Sequence, residues 1–336
     1  MKSYRDAVLF GVRGATDAHS TFGLRERVEK GGTGIDVFGI IDELRIPLFF
    51  KPLDKLLGTC IRVPDAGPGI LITTERDLHL QRFTAAHELG HYILQHEGSF
   101  DNEVGPPKLK QPAGFDWKEV EANAFAAEFL LPKWLFRYHV QRHNWSLKQL
   151  SDPGTVYQLS LRMGVSYEST CWGLQSHNIL GADVVQRLRA VPPKMSKLAA
   201  TGNKALHDPW ADVWILDDSD TGGSIDAGPS DVFILRISEN AGSGFLWDVK
   251  ALADTGFELV DDQRAEKDPG SIGGPVERRL VFRLPPDGTH KFRIAERRPW
   301  QRPELAARTF TMRISTFGKA SPGQFRRRDV TAGLPS

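Results

Sequence analysis

The run Arg82-Phe83-Thr84-Ala85-Ala86-His87-Glu88-Leu89-Gly90-His91 sets two histidines four positions apart, with a glutamate directly after the first. On a helix, residues four apart are offset by about 40° around the axis, so both imidazoles can reach one ion. Glu88 between them can face a water held at that ion, the place of a general base in metal-assisted hydrolysis. At about 100° per residue, Phe83, Ala86, Leu89, Gly90, Ile93 and Leu94 gather in one apolar sector, and His87, Glu88 and His91 in the next. One side is expected to pack into the core and the other to open to a cleft. His96, five positions past His91, points away from that sector and reads as a surface histidine. The bland alternative is a chance match, since H-E-x-x-H also occurs in unrelated helices.

Two imidazoles leave a catalytic zinc site one protein ligand short. The next helical segment, Trp117 to Leu131, offers Glu119, Glu121 and Glu128. Glu119 shares a face with Ala122, Asn123, Ala126 and Leu130, and small residues there permit close approach to another helix. Glu121 and Glu128 fall on the opposite face and are expected to meet water. Glu119 is therefore the better third ligand and Glu121 the runner-up. Asn123, one turn on, suits either a hydrogen bond to a ligand histidine or a plain packing role.

These two segments, Arg82 to His91 and Glu119-Val120-Glu121-Ala122-Asn123-Ala124-Phe125-Ala126-Ala127-Glu128-Phe129-Leu130-Leu131-Pro132, closely resemble the ImmA/IrrE family of metallopeptidases over about residues 20–185. The resemblance implies a zincin-like fold, Zn2+ held by His87, His91 and Glu119, and Glu88 as the base. It also implies a protein substrate, a helix-turn-helix transcriptional repressor or antitoxin, whose cleavage switches on stress, mobile-element or defence genes. The residue stabilising the oxyanion is not identifiable from the sequence; His79 and Tyr92 lie near, and both also suit structural roles. Leu159 to Thr170 itself reads as a helix-turn-helix-like element, with Gly164 at the turn and Ser166 capping the next helix. Glu168 would repel phosphate and basic residues around it are few, so a scaffold role is expected rather than direct DNA binding.

The elements that must position these residues fill a chain of 336 residues, a length that suits two domains. Forty-three basic side chains balance forty-two acidic ones, so no net field would hold the whole protein on nucleic acid or an anionic membrane. No stretch approaches the ~20 apolar residues that cross a bilayer, and the N-terminus does not read as a signal peptide. Two distant cysteines suggest no disulfide framework, and the expected location is the cytoplasm. Helices are expected at 37–44, 80–96, 117–131 and, with interruptions, 134–188, with short strands at 46–50 and 69–73 and a loop at 98–114. A weakly patterned linker follows near 191–203. Short alternating runs at 212–216, 232–237, 245–249, 278–284, 290–294 and 309–314 then suggest a β-sandwich. The organisation expected is α+β. A mainly helical metallopeptidase domain over 1–188 carries a small sheet and the helix-turn-helix-like segment at about 145–185. A linker at 189–206 leads to an immunoglobulin-like all-β sandwich over 207–316, and a basic, flexible tail over 317–336 carries Arg326, Arg327 and Arg328.

That second half is similar to chagasin-type inhibitors of cysteine peptidases. Asn240 to Trp247, with Ser243, Gly244, Phe245 and Trp247, matches their first loop; Gly273 and Gly274 match the glycine loop; Arg298, Pro299 and Trp300 match the third. The sequence departs from their pattern at two places: the usual Pro-Thr-Thr is Ala-Gly-Ser here and the closing Glu is Gln301. The resemblance implies a protein partner at these loops, a cysteine peptidase or another protein.

Overall fold

A computed structural model of the chain describes all residues except 1–2, 54–55, 64–66, 97–98, 102–115, 251, 253–255, 267–273, 287, 303–304, 317–322 and 326–336. The helical part begins with α1 (Tyr4–Thr21), α2 (Leu24–Glu29) and α3 (Val37–Glu43), followed by β1 (Leu48–Lys51), β2 (Gly58–Val63) and β3 (Gly67–Thr73). Next come α4 (Leu78–Ile93), β4 (Ser99–Asp101), α5 (Trp117–Leu130), α6 (Lys133–Arg142), α7 (Leu147–Leu150), α8 (Pro153–Met163), α9 (Tyr167–Ser176), α10 (Ala182–Arg189) and α11 (Pro193–Ala200). The β part contains β5 (Val213–Asp217), β6 (Gly223–Ala227), β7 (Val232–Glu239), β8 (Leu246–Trp247), β9 (Glu258–Glu266), β10 (Val276–Arg283), β11 (Gly288–Arg297), β12 (Arg308–Thr316) and β13 (Gly323–Phe325). The architecture is α+β, helical first and β-rich second, as the patterning predicts.

Local chemistry fixes the helix ends. Asp77 accepts from Leu80 N–H at 2.9 Å to start α4, and Asp116 accepts from Lys118 N–H at 2.9 Å to start α5. Pro132, without an N–H, ends α5 and opens α6. Gly164, left-handed at φ 68°, ends α8, and Ser166 caps α9, the turn chemistry read from the sequence. The supposed recognition helix α9 buries Tyr167, Thr170, Cys171 and Leu174, and Glu168 pairs with Arg189. That element is a packed part of the helical scaffold.

In the small sheet the strand order is β13-β1-β3-β2-β4. β13 falls in the stretch read as tail and runs antiparallel to β1. The 98–114 loop lies largely outside the described residues, as do Arg326, Arg327 and Arg328. The β part holds two four-stranded sheets, β5-β7-β10-β9 and β6-β12-β11-β8. They face each other across aromatic rings: Phe282 on β10 meets Phe292 on β11 at 5.8 Å, and Phe292 stacks on Phe310 at 5.8 Å. Each such ring contributes on the order of 1.5–3 kcal/mol by burial.

Where weak patterning suggests a linker, Pro193–Ala200 forms α11, whose Ala200 packs with Val213 and Ile234. The two halves are not strung on a tether. Helix α8 covers the free edge of β5: Gln158 Nε2 donates to Val213 O at 2.7 Å, and Ile215 N–H donates to Gln158 Oε1 at 2.8 Å. Arg162 grips Asp220 through Nε and Nη2 at 3.1 and 2.8 Å and donates to Ile215 O at 2.7 Å. A covered edge is an edge that cannot recruit another strand.

Glu128 on α5, expected to meet water, is instead largely buried, and burial raises its carboxyl to about 7. The folded state therefore favours the protonated acid, so the stabilisation is whole below the ordinary carboxylate range and is lost as pH rises through about 7. Glu128→Gln should match wild-type stability at pH 4 and exceed it by about 1 kcal/mol at pH 8.5, allowing for partial exposure. Denaturant midpoints at the two pH values check this.

Candidate metal centre

Helix α4 is buried along most of its length, and its His87, Glu88 and His91 are 0, 0 and 1% exposed. Helix α5 brings Glu119 across to it. Glu119 Oε2 lies 3.3 Å from His87 Nε2, Glu119 Oε1 lies 3.3 Å from His91 Nε2, and the two Nε2 atoms are 3.0 Å apart. Ligands held at about 2.0–2.1 Å from a tetrahedral zinc stand roughly 3.3 Å from one another. The three side chains thus fit a single ion of that size and could hold one. Glu119 is about a quarter exposed, which leaves one side of the cluster open to solvent.

The close approach of the two helices depends on small residues. A Cβ at Gly90 would sit 3.0 to 3.2 Å from Phe125 on α5. On the other side of α4, a Cβ on Gly58 of β2 would lie 2.4 Å from Thr84 Cγ2 and 3.1 Å from Glu88 Oε1. The strand backbone therefore passes directly beside the glutamate carboxylate.

Two expectations are corrected here. His96 is not a surface residue: it is 7% exposed, and its Nδ1 lies 2.9 Å from His91 Nδ1. The helix ends at Ile93, and Gln95 takes a left-handed φ of 59°, which swings His96 back over the last turn. A wheel extended to position 96 could not show this. Glu121 does not meet water either. It is 3% exposed, and its Oε2 lies 3.0 Å from His96 Nε2. Helix α1 covers that face of α5, with Gly11 placed so that a Cβ would fall 2.2 Å from Glu121 O. The chain Glu121–His96–His91 thus backs the centre with a carboxylate and a relaying imidazole. Were a metal held by His91 Nε2, His91 Nδ1–H would donate to His96 Nδ1 and His96 Nε2–H to Glu121. Burial lowers the His96 pKa against the upward pull of Glu121, which favours the neutral ring this relay needs.

The other sequence candidates have surroundings of their own. Asn123 Oδ1 is buried and makes no hydrogen bond among the described residues. His79 lies under the β part, 3.8 Å from Asp212, and Tyr92 lines a groove with Phe10 and Arg13 of α1.

At the far end of the β part, two of the three loops meet. Arg298 Nε donates to Ser243 O at 3.2 Å, its guanidinium lies 4.6 Å over the Phe245 ring, and Trp300 packs beside Gly244. Pro299 is exposed, and Trp300 is 74% exposed. Trp247, read as a loop anchor, is 3% exposed: its Nε1 donates to Ser238 O and Arg308 covers its ring. It belongs to the core. Gly274 is half-buried, and Gly273 lies outside the described residues.

Comparison with known proteins agrees with this division. Residues 41–175 match the model of peptidase family M78, the IrrE N-terminal-like domain, and residues 227–314 match the chagasin family peptidase inhibitor I42. The chain therefore joins a peptidase-family domain to a chagasin-family domain. Among solved structures it is similar to the cysteine protease inhibitor EhICP2 from Entamoeba histolytica, with 20% identity over 33% of this chain and 100% of that one at a TM-score of 0.30. It is also similar to amebosin, with 23% identity over 32% of this chain and 98% of that one at a TM-score of 0.24. A third is PbICP-C in complex with falcipain-2, with 15% identity over 34% of this chain and 95% of that one at a TM-score of 0.19. No curated protein matches. Among the described residues, no helix is long and apolar enough to cross a membrane.

If the relay orients His91, then Glu121→Gln or His96→Ala should weaken zinc affinity by about 10–100-fold while the fold is kept. Competition against a zinc chelator, with circular dichroism as control, checks this. Unchanged affinity in both variants would remove the relay from the account.

Proposed function

We propose that this protein is a zinc-dependent endopeptidase whose substrate is a helix-turn-helix repressor or antitoxin. The observation that carries the catalytic reading is the convergence of His87, His91 and Glu119 within ligand distance, with Glu88 buried on the same helix. A zinc ion there supplies Lewis-acid activation of water and of the scissile carbonyl. His87, His91 and Glu119 would hold it. Glu88 takes the proton of the attacking water and passes it to the leaving amine. Burial beside Gly58 excludes bulk water from the Glu88 carboxylate and holds it in one place. The repressor or antitoxin as substrate is supported by the resemblance of the two α4 and α5 motifs to ImmA/IrrE peptidases. Two buried cysteines outside any disulfide, Cys60 and Cys171, suit a reducing cytoplasm.

Glu88→Gln separates chemistry from metal binding. It should retain one equivalent of zinc and lose on the order of 10²–10⁴-fold in cleavage rate of a repressor encoded beside it. Zinc content by atomic emission and cleavage by gel are the two measurements. Cleavage at the wild-type rate would dismiss Glu88 as the base.

A second role is favoured by the joined loops at Ser243–Phe245 and Arg298–Trp300. An exposed Trp and a guanidinium stacked on Phe245 form an anchor of the kind found at protein interfaces. We propose that this end of the sandwich binds a protein partner, with a papain-like cysteine peptidase the first to test. The full chain should inhibit papain, and Trp300→Ala should weaken inhibition by about tenfold or more. Absence of inhibition at micromolar protein would leave the loops to a different protein.

A further inference from the structure

Between the helical part and the outer face of the second β-sheet lies a cavity of about 690 Å³. One wall is the glycine-rich turn Gly31-Gly32-Thr33-Gly34, between α2 and α3. The opposite wall is the outward face of β12 and β11. The turn is fixed to β6: Ser224 N–H donates to Gly31 O at 2.8 Å, and Thr33 Oγ1 donates to Ser224 O at 3.1 Å. Gly31 holds φ 127°, and a Cβ on Gly34 would lie 2.9 Å from Met163 O, so the backbone itself forms this wall. The cavity is of the size that takes small-molecule ligands.

Its charge is one-sided. Seven basic side chains line it against two carboxylates; Arg27, Lys30, Arg82 and Arg162 are paired with Glu43, Glu26, Asp226 and Asp220, which leaves three. The acidic pair is already engaged, Asp226 with Arg82 at 3.2 Å and Asp36 with Gly39 N–H at the start of α3. On the strand wall, Lys291, Arg293 and Arg313 are exposed and, among the described residues, form no ion pair. Lys291 stands directly opposite Arg313 in the β11–β12 register. Like charges in that position repel and destabilise a sheet. Arg82 also lines the cavity; it is 5% exposed, and its buried Nε has no hydrogen-bond partner among the described residues. A buried guanidinium N–H left without an acceptor costs free energy.

We infer that this cavity is a binding site for a small phosphorylated ligand carrying at least two phosphate groups. Lys291, Arg293 and Arg313 would neutralise the outer phosphate. Arg82 and the backbone of the glycine turn would meet the inner one, as nests of backbone N–H groups do. The site joins both halves of the molecule, and Arg82 stands on α4, five residues before His87. The inference does not rest on the peptidase reading, since binding is measured without activity.

Titration calorimetry of the full chain at 0.15 M salt with inorganic tripolyphosphate tests it, with an eight-base single-stranded DNA as the competing macromolecule. Saturable one-to-one binding of tripolyphosphate is expected. Lys291→Gln with Arg313→Gln should weaken it by on the order of tenfold or more. These two positions are exposed and mutually repulsive, so the double variant should melt no lower than the wild type without ligand. Tripolyphosphate should raise the melting temperature of the wild type and leave that of the variant almost unmoved. Lack of saturable binding by folded wild type, affinity unchanged in the double variant, or binding of the DNA without the tripolyphosphate would each overturn the site.

Discussion

The distance between α4 and α5 governs everything the centre can do. A carboxylate on one helix meets two imidazoles on another at 3.3 Å only if the backbones approach closely, and Gly90 against Phe125 is where they do. Helix α1 presses on α5 from behind through Gly11, so α5 has no room to retreat. The same geometry lets one helix address the centre twice. Glu119 reaches His87 and His91 directly, and Glu121, two residues on and facing elsewhere, reaches His91 through His96. Close packing of small residues thus converts directly into ligand placement, because a packed interior deforms little before it must rearrange.

A second set of contacts ties this centre to the β part. Arg82, on the second turn of α4, donates to Ile35 O at 2.6 Å and pairs with Asp226 on β6. Arg162 on α8 is 2% exposed and holds Asp220, itself 2% exposed. Breaking one partner of such a buried pair costs about 3–5 kcal/mol, because the other is left charged in a poor solvent. The halves are therefore held in one relation by groups that cannot be exposed one at a time. Displacement of β6 would be felt at Arg82, one and a half turns from His87.

Much of this was legible in the sequence, and the rest was hidden for identifiable reasons. The spacing of His87 and His91 and the small-residue face around Glu119 are local periodic signals, and each survives into three dimensions. The Gly164 turn and Ser166 cap are equally local. The His96–Glu121 pair was missed because its making depends on one left-handed residue, Gln95, and on a covering helix, α1, whose buried face is built from the small residues Ala7, Gly11, Ala15 and Ala18. Strands β6 and β9 were missed because their residues favour other structure: β6 contains Gly223, Ser224 and Asp226, while β9 is an edge strand with charged side chains, such as Asp261, Asp262 and Arg264, in place of alternation. Trp247 matched a loop motif by type, yet its neighbours bury it. Motif identity fixes a residue's place in the chain, and burial decides its use.

Among the described residues a second group of side chains could hold a metal, and the contrast explains what makes the first one a candidate. His143, Asp217 and Asp220 also lie close enough to share an ion. Both oxygens of Asp220 are already taken by Arg162, and Oδ2 accepts from Asp217 N–H as well. Burial, aided by the Arg162 charge, lowers His143 to about 4, so its ring stays neutral beside that ion pair. A divalent cation there would have to displace a buried guanidinium and leave it unpaired, at a cost its new bonds must first offset. At Glu119 the two oxygens instead face one imidazole nitrogen each, in the arrangement a cation would complete. Spacing makes both groups eligible, and the charge already present at each separates a structural lock from a site that can accept a metal.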